Sequence, residues 1–72
     1  MDTENQCKAV LEYIFKNGSI DTRRATRELE IYRLSARIWD IEHRMGFPVI
    51  RTPRYKYDSH GKVEKRWVEY SL

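Results

Sequence analysis

The chain has 72 residues, 35% of them charged and 40% hydrophobic, with a net charge of +3 at pH 7 and a pI near 9.2. That composition describes one small folded domain rather than a disordered tail. No apolar run approaches the roughly 20 residues a spanning helix needs, which excludes a membrane-embedded role. A single cysteine, Cys7, excludes an internal disulfide and a cysteine-rich zinc site and fits a reducing cytoplasmic compartment.

The N-terminus, Met-Asp-Thr-Glu-Asn, lacks the basic and apolar regions of a signal peptide. Asp2 or Thr3 caps a first helix over 3–17, with Glu4 where the positive end of the helix dipole favours a carboxylate. Cys7, Val10, Leu11, Ile14 and part of Phe15 share one face, while Lys8, Glu12 and Lys16 face water. Cys7 lies on the apolar stripe with no His beside it, so it reads as a buried inert thiol and not a nucleophile. Asn17-Gly18 stops the helix.

Ser19-Ile20 is a short extended link, and Asp21 caps a second helix over 22–29, with Ile20 and Ala25 as a small hydrophobic staple. Ala25 and Leu29 face the core; Arg23, Arg24 and Arg27 point elsewhere. Leu29-Glu30-Ile31 is a tight turn. Beyond it, Ile31, Leu34, Ile38, Ile41 and Met45 recur at steps of three and four, which predicts a third helix over 33–45. Tyr32, Arg33, Ala36, Asp40 and His43 fall across from that stripe. Gly46 closes the helix and Pro48 prevents its continuation.

From Phe47 to Tyr57 the sequence turns β-branched and aromatic, a strand over 49–57 with Pro53 at an edge or bulge. Asp58-Ser59-His60-Gly61 is a turn, and a second strand covers 62–70. Along the run from Lys62 to Leu72, Val68, Tyr70 and Leu72 share one face and Lys65, Trp67 and Glu69 the other. A hairpin of this length needs the helices to cover its apolar side. The fold class is therefore α+β, a winged helix-turn-helix of three helices followed by a two-stranded β-hairpin wing.

Charge is unevenly spread. Residues 1–18 hold Lys8 and Lys16 against three acids, residues 19–46 six arginines against five acids, and residues 47–72 six Lys or Arg against three acids. Cations accumulate toward the C-terminal end, as expected if a polyanion is met there.

The run Gly18-Ser19-Ile20-Asp21, then Ala25-Thr26-Arg27-Glu28-Leu29-Glu30-Ile31-Tyr32-Arg33-Leu34-Ser35-Ala36-Arg37-Ile38-Trp39-Asp40-Ile41, then Gly46-Phe47-Pro48-Val49-Ile50 resembles the small winged helix-turn-helix domains of phages and prophages. The resemblance covers most of the chain from residue 18 and is most specific over Ile31 to Ile38. It implies DNA binding, with the third helix in the major groove and the wing near the backbone. The sequence departs from the pattern at Glu30, where the usual turn residue is Gly. Either the turn avoids positive φ, or Glu30 is held there at a cost on the order of 1 kcal/mol. The acidic Glu42 after Asp40-Ile41 concentrates the expected contacts in the first half of the helix.

In the third helix, Tyr32, Arg33, Ser35, Ala36 and Arg37 are the candidate DNA contacts. Arginine can bond a guanine's O6 and N7 together, Tyr32 and Ser35 can bond phosphate or a base edge, and Ala36 admits a thymine methyl. Bland alternatives stand beside these: a salt bridge from Arg37 to Glu42 or Glu30, Tyr32 as a partly buried wedge, and Ala36 as a helix former. Arg23, Arg24 and Arg27 suit phosphate clamping or a solvated face paired with Glu28 or Glu30. In the wing, Arg54, Lys56, Lys62, Lys65 and Arg66, with Arg51, form a basic rim interleaved with Tyr55, Tyr57 and Trp67, rings that cross-strand packing explains equally well. Trp39 is expected to pack against the wing rather than to stack on nucleic acid, and an exposed Trp39 would instead suggest a protein interface. His60 is a loop residue, and His43 has no ligand neighbour at metal spacing.

No paired carboxylates, activated nucleophile or glycine-rich phosphate loop is present, so no enzyme, cofactor or metal is expected. The expected partner is double-stranded DNA. A homodimer and a host protein bound through the same fold are the alternatives, and no membrane partner is expected.

Overall fold

A computed structural model describes residues 2–72. Three helices, α1 (Thr3–Asn17), α2 (Thr22–Leu29) and α3 (Leu34–His43), precede two antiparallel strands, β1 (Ile50–Tyr57) and β2 (Val63–Ser71). This is the three-helix and hairpin order of a winged helix-turn-helix.

Local chemistry sets the boundaries. The Asp2 carboxylate accepts the Asn5 N–H at 2.8 Å and the Asp21 carboxylate the Arg24 N–H at 2.8 Å, each satisfying a donor the first helical turn leaves open. After α3 the chain makes a loose turn through Arg44 and Met45, and Gly46 takes φ 77°. The Phe47 N–H then reaches back six positions to the Ile41 carbonyl at 3.1 Å, a closure made possible by the left-handed residue before it. The regular helix thus ends two residues short of the predicted Met45, whose side chain is exposed rather than part of the core stripe.

The α2–α3 turn closes in the same way. Ile31 N–H donates to the Ala25 carbonyl at 3.0 Å, and the left-handed residue is Glu30, at φ 55°. The missing glycine did not change the turn; Glu30 adopts the strained conformation instead.

Cys7, Val10, Leu11 and Ile14 of α1, Ile20, Ala25 of α2, and Ile31, Leu34, Ile38 and Ile41 build one core, with α1 packed mainly on α3. Phe15, expected partly on the α1 apolar face, lies outside this core and is exposed. Ile20 is more than a link. It exchanges backbone hydrogen bonds with Tyr70 at 2.9 and 2.8 Å, forming a one-residue third strand that anchors the base of the wing to the helices.

That pairing also explains Pro53. Both backbone groups of Tyr70 point at Ile20, so Arg51–Tyr70 on the other side is a non-hydrogen-bonded pair, and so is Pro53–Val68 two positions on. The N–H that Pro53 lacks would have faced the open edge, and the ladder loses nothing.

Only the base of the hairpin is covered. Thr52, Glu69, Tyr70 and Ser71 are partly buried, and every other residue of β1 and β2 is exposed. This corrects the expectation that the helices would cover its apolar side: anchored at Tyr70, the wing extends away from them. Its tip is organised by Asp58, whose carboxylate accepts the N–H groups of His60 and Lys62 at 2.8 and 3.0 Å.

Candidate nucleic-acid interface

The register places Arg54 opposite Trp67 and Lys56 opposite Lys65, so Arg54, Lys56, Lys65, Trp67 and Glu69 project from one side of the wing. That side, joined by Arg66, faces α2 across a cleft of about 1100 Å³, whose far wall carries Ser19, Thr22, Arg23, Arg24, Thr26 and Arg27. Two lysines directly opposite in a ladder repel each other, and an anion between them would remove the repulsion.

The arginines of the chain divide by partner. The Arg24 guanidinium is held by the Asp21 carboxylate at 3.1 Å and the Ser19 hydroxyl at 2.9 Å, and lies 5.7 Å from the Tyr13 ring centre. Arg54 is paired with Glu69 at 3.0 Å, and Arg51 with Glu42, bonding it through both terminal nitrogens. That last bond draws the Glu42 carboxyl below the usual range. Among the described residues, Lys16, Arg23, Arg27, Arg33, Lys56, Lys62, Lys65 and Arg66 have no ion pair or hydrogen bond through their side chains. Five of these, Arg23, Arg27, Lys56, Lys65 and Arg66, line the cleft.

Arg37 does not join them. It turns toward α1, where its guanidinium donates to Thr3 Oγ1 at 3.2 Å and Gln6 Oε1 at 3.3 Å. Its Nε lies 3.3 Å from Asp40. The expected alternative of a salt bridge is correct in kind, but the partner is neither Glu42 nor Glu30. Asp40, expected on the outer face, is only 7% exposed and sits between Arg37 and Arg44. Both residues lie on the edge of α3 that α1 covers, which is why groups expected to face solvent are enclosed. Their ion pair lies beside Cys7, whose thiol pKa is raised by burial and then by the Asp40 charge, so the cysteine stays protonated and unreactive.

Of the remaining α3 candidates, Tyr32 is 71% exposed and is not a wedge; Arg33 and Ser35 are exposed and Ala36 partly so. Trp39 overturns its expectation. It is 53% exposed, and its ring lies 4.6 Å from that of His43, one turn on. Trp67 of the cleft is expected from the sequence as a ring of the basic rim that cross-strand packing explains equally well. The alternation in β2 put it with Lys65 and Glu69, yet nothing local showed that this side would meet α2.

Three helices, a helix-turn-helix and an anchored basic hairpin define the class of winged helix proteins, which are in general DNA-binding modules without enzymatic activity. Residues 5–72 match the family model described as a winged helix-turn-helix domain, and the chain belongs to that family. Curated proteins and solved structures give no match. No described helix is long and apolar enough to cross a membrane.

Proposed function

We propose that this chain binds double-stranded DNA with sequence preference, as a small regulatory or accessory protein of phage or prophage descent. The start of α3 enters the major groove, and the phosphate backbone runs along the cleft between α2 and the wing. The observation that carries this is the gathering of five unpaired cations on the two walls of that cleft, whose acids, Asp21 and Glu69, are already taken up by Arg24 and Arg54. An uncompensated cluster of cations is retained at a cost in repulsion that a polyanion offsets. In this arrangement Arg23 and Arg27 of α2 and Lys56, Lys62, Lys65 and Arg66 of the wing hold phosphates, while Tyr32, Arg33, Ser35 and Ala36 meet base edges or the nearest phosphates. Arg24, Arg37 and Arg54 shape the surface through their ion pairs.

Selection of duplexes from a random pool, followed by titration of the selected site at two salt concentrations, tests this. Arg33→Ala is expected to lose sequence preference, and Lys65→Ala to weaken all duplexes alike. Binding indifferent to salt, or absent from every duplex at low salt, overturns the proposal. A protein-interaction module is the second reading, favoured by the exposed Trp39; a nuclease-resistant, stoichiometric protein partner recovered from the host would establish it.

A further inference from the structure

The outer face of α3 has an unusual composition for a helix bearing two carboxylates. At 100° per residue, Ser35, Ala36, Trp39 and His43 point away from the Leu34–Ile38–Ile41 stripe. Asp40 is enclosed between Arg37 and Arg44, and Glu42 is held by Arg51 of β1. Both acids of the helix are thereby neutralised and drawn aside. What remains outward is a small residue and an indole, with a hydroxyl toward one end and an imidazole toward the other.

We infer that Trp39 is a specificity-determining residue that, together with Ala36, recognises the 5-methyl groups of thymine in the major groove. This rests on the proposed duplex binding and names the base feature it reads. Ala36 and Trp39 are three positions apart and therefore neighbours on the same face. Trp39 is half exposed, and its ring is flanked by His43 at 4.6 Å with a 34° tilt, so it presents an oriented apolar surface. The only methyl group displayed in the major groove belongs to thymine, and small and aromatic side chains are the ones that contact it. With no unpaired carboxylate on this face, the helix can approach the groove without repulsion from the phosphates on either side.

The test uses the site obtained by selection, with each thymine replaced singly by deoxyuridine, which removes the methyl and leaves base pairing intact. Wild-type protein is expected to lose about fourfold in affinity at one or two positions, the worth of one buried methyl group. Trp39→Ala should bind the parent site more weakly and show no further loss on those replacements; Trp39→Phe should retain part of the sensitivity. Circular dichroism of both variants confirms folding, and an exposed residue is expected to leave it unchanged. If wild-type and Trp39→Ala show the same deoxyuridine profile, the assignment is overturned while duplex binding stands. If Trp39→Ala leaves DNA affinity intact but abolishes self-association in sedimentation, Trp39 belongs to a protein interface and the inference fails. If wild-type binds no duplex at all, the proposed function fails and this inference with it.

Discussion

Glu30 shows what a single backbone angle is worth. A left-handed conformation costs a non-glycine residue roughly 1–2 kcal/mol, and glycine gives part of that back to its greater freedom when unfolded. Glu30→Gly is therefore expected to stabilise the fold by about 1 kcal/mol, raising the midpoint of a thermal melt by roughly 4–8 °C in a domain of this size. A second residue-scale effect concerns acid. The bond from Arg51 lowers the pKa of Glu42, so its stabilising contribution is fully present above the ordinary glutamate value of 4.5 and is lost as pH falls through the lower folded value. Glu42→Gln should flatten that part of the acid limb of a stability curve, measured by denaturant titration at stepped pH. Asp40 is the most consequential charge. Replacing it by Ala leaves Arg37, largely covered by α1, without its carboxylate, a loss of about 2 kcal/mol after discounting for residual exposure.

Among the elements, the wing sets stability against binding. Lys56 and Lys65 stand opposite each other with no acid between them. Lys65→Glu converts that repulsion into a cross-strand attraction and should strengthen the hairpin by about 0.5 kcal/mol, while weakening every duplex tested. Opposite changes in melting temperature and DNA affinity from one substitution would mark the pair as a site kept for a ligand; a parallel fall in both would count against it. The helices follow a simpler rule. Ile38 is buried between α3 and α1, and Ile38→Ala removes packing worth about 2–5 kcal/mol, enough to unfold much of a small domain at room temperature.

At the scale of the whole molecule, dimensions of 43 × 23 × 21 Å reflect a helical body with an exposed hairpin extending from it. Joined to the helices at its base, by Ile20 with Tyr70 and by Glu42 with Arg51, the wing leaves one long side facing α2, and a concave basic surface results from their separation. If the five unpaired cations of that cleft each displace one counterion from duplex DNA, the logarithm of the binding constant should fall against the logarithm of salt with a slope of about −4 to −5. Each Lys→Ala or Arg→Ala change in the cleft should reduce it by about one. A slope near zero would overturn the proposed binding, and a slope that the cleft substitutions leave unchanged would mean that phosphates pass elsewhere.

The order of elements, the Asp21 cap and the central apolar stripe of each helix follow from sequence alone, because each is decided within a turn or two of chain. Asp21 caps α2 whatever lies across the molecule, and Leu34, Ile38 and Ile41 fall on one side by helical period. Even the turn at Glu30 was legible as a choice between two conformations. Which arginines are free was not. Arg37 is held by Thr3, thirty-four residues away, Arg51 by Glu42 and Arg54 by Glu69, contacts made between elements that meet only after folding. For the same reason the exposure of Trp39 and its pairing with the His43 ring emerge only in the folded chain. Local periodicity fixes the direction of a side chain, but its neighbours are supplied by distant parts of the chain, and they decide which charges and rings remain available for a partner.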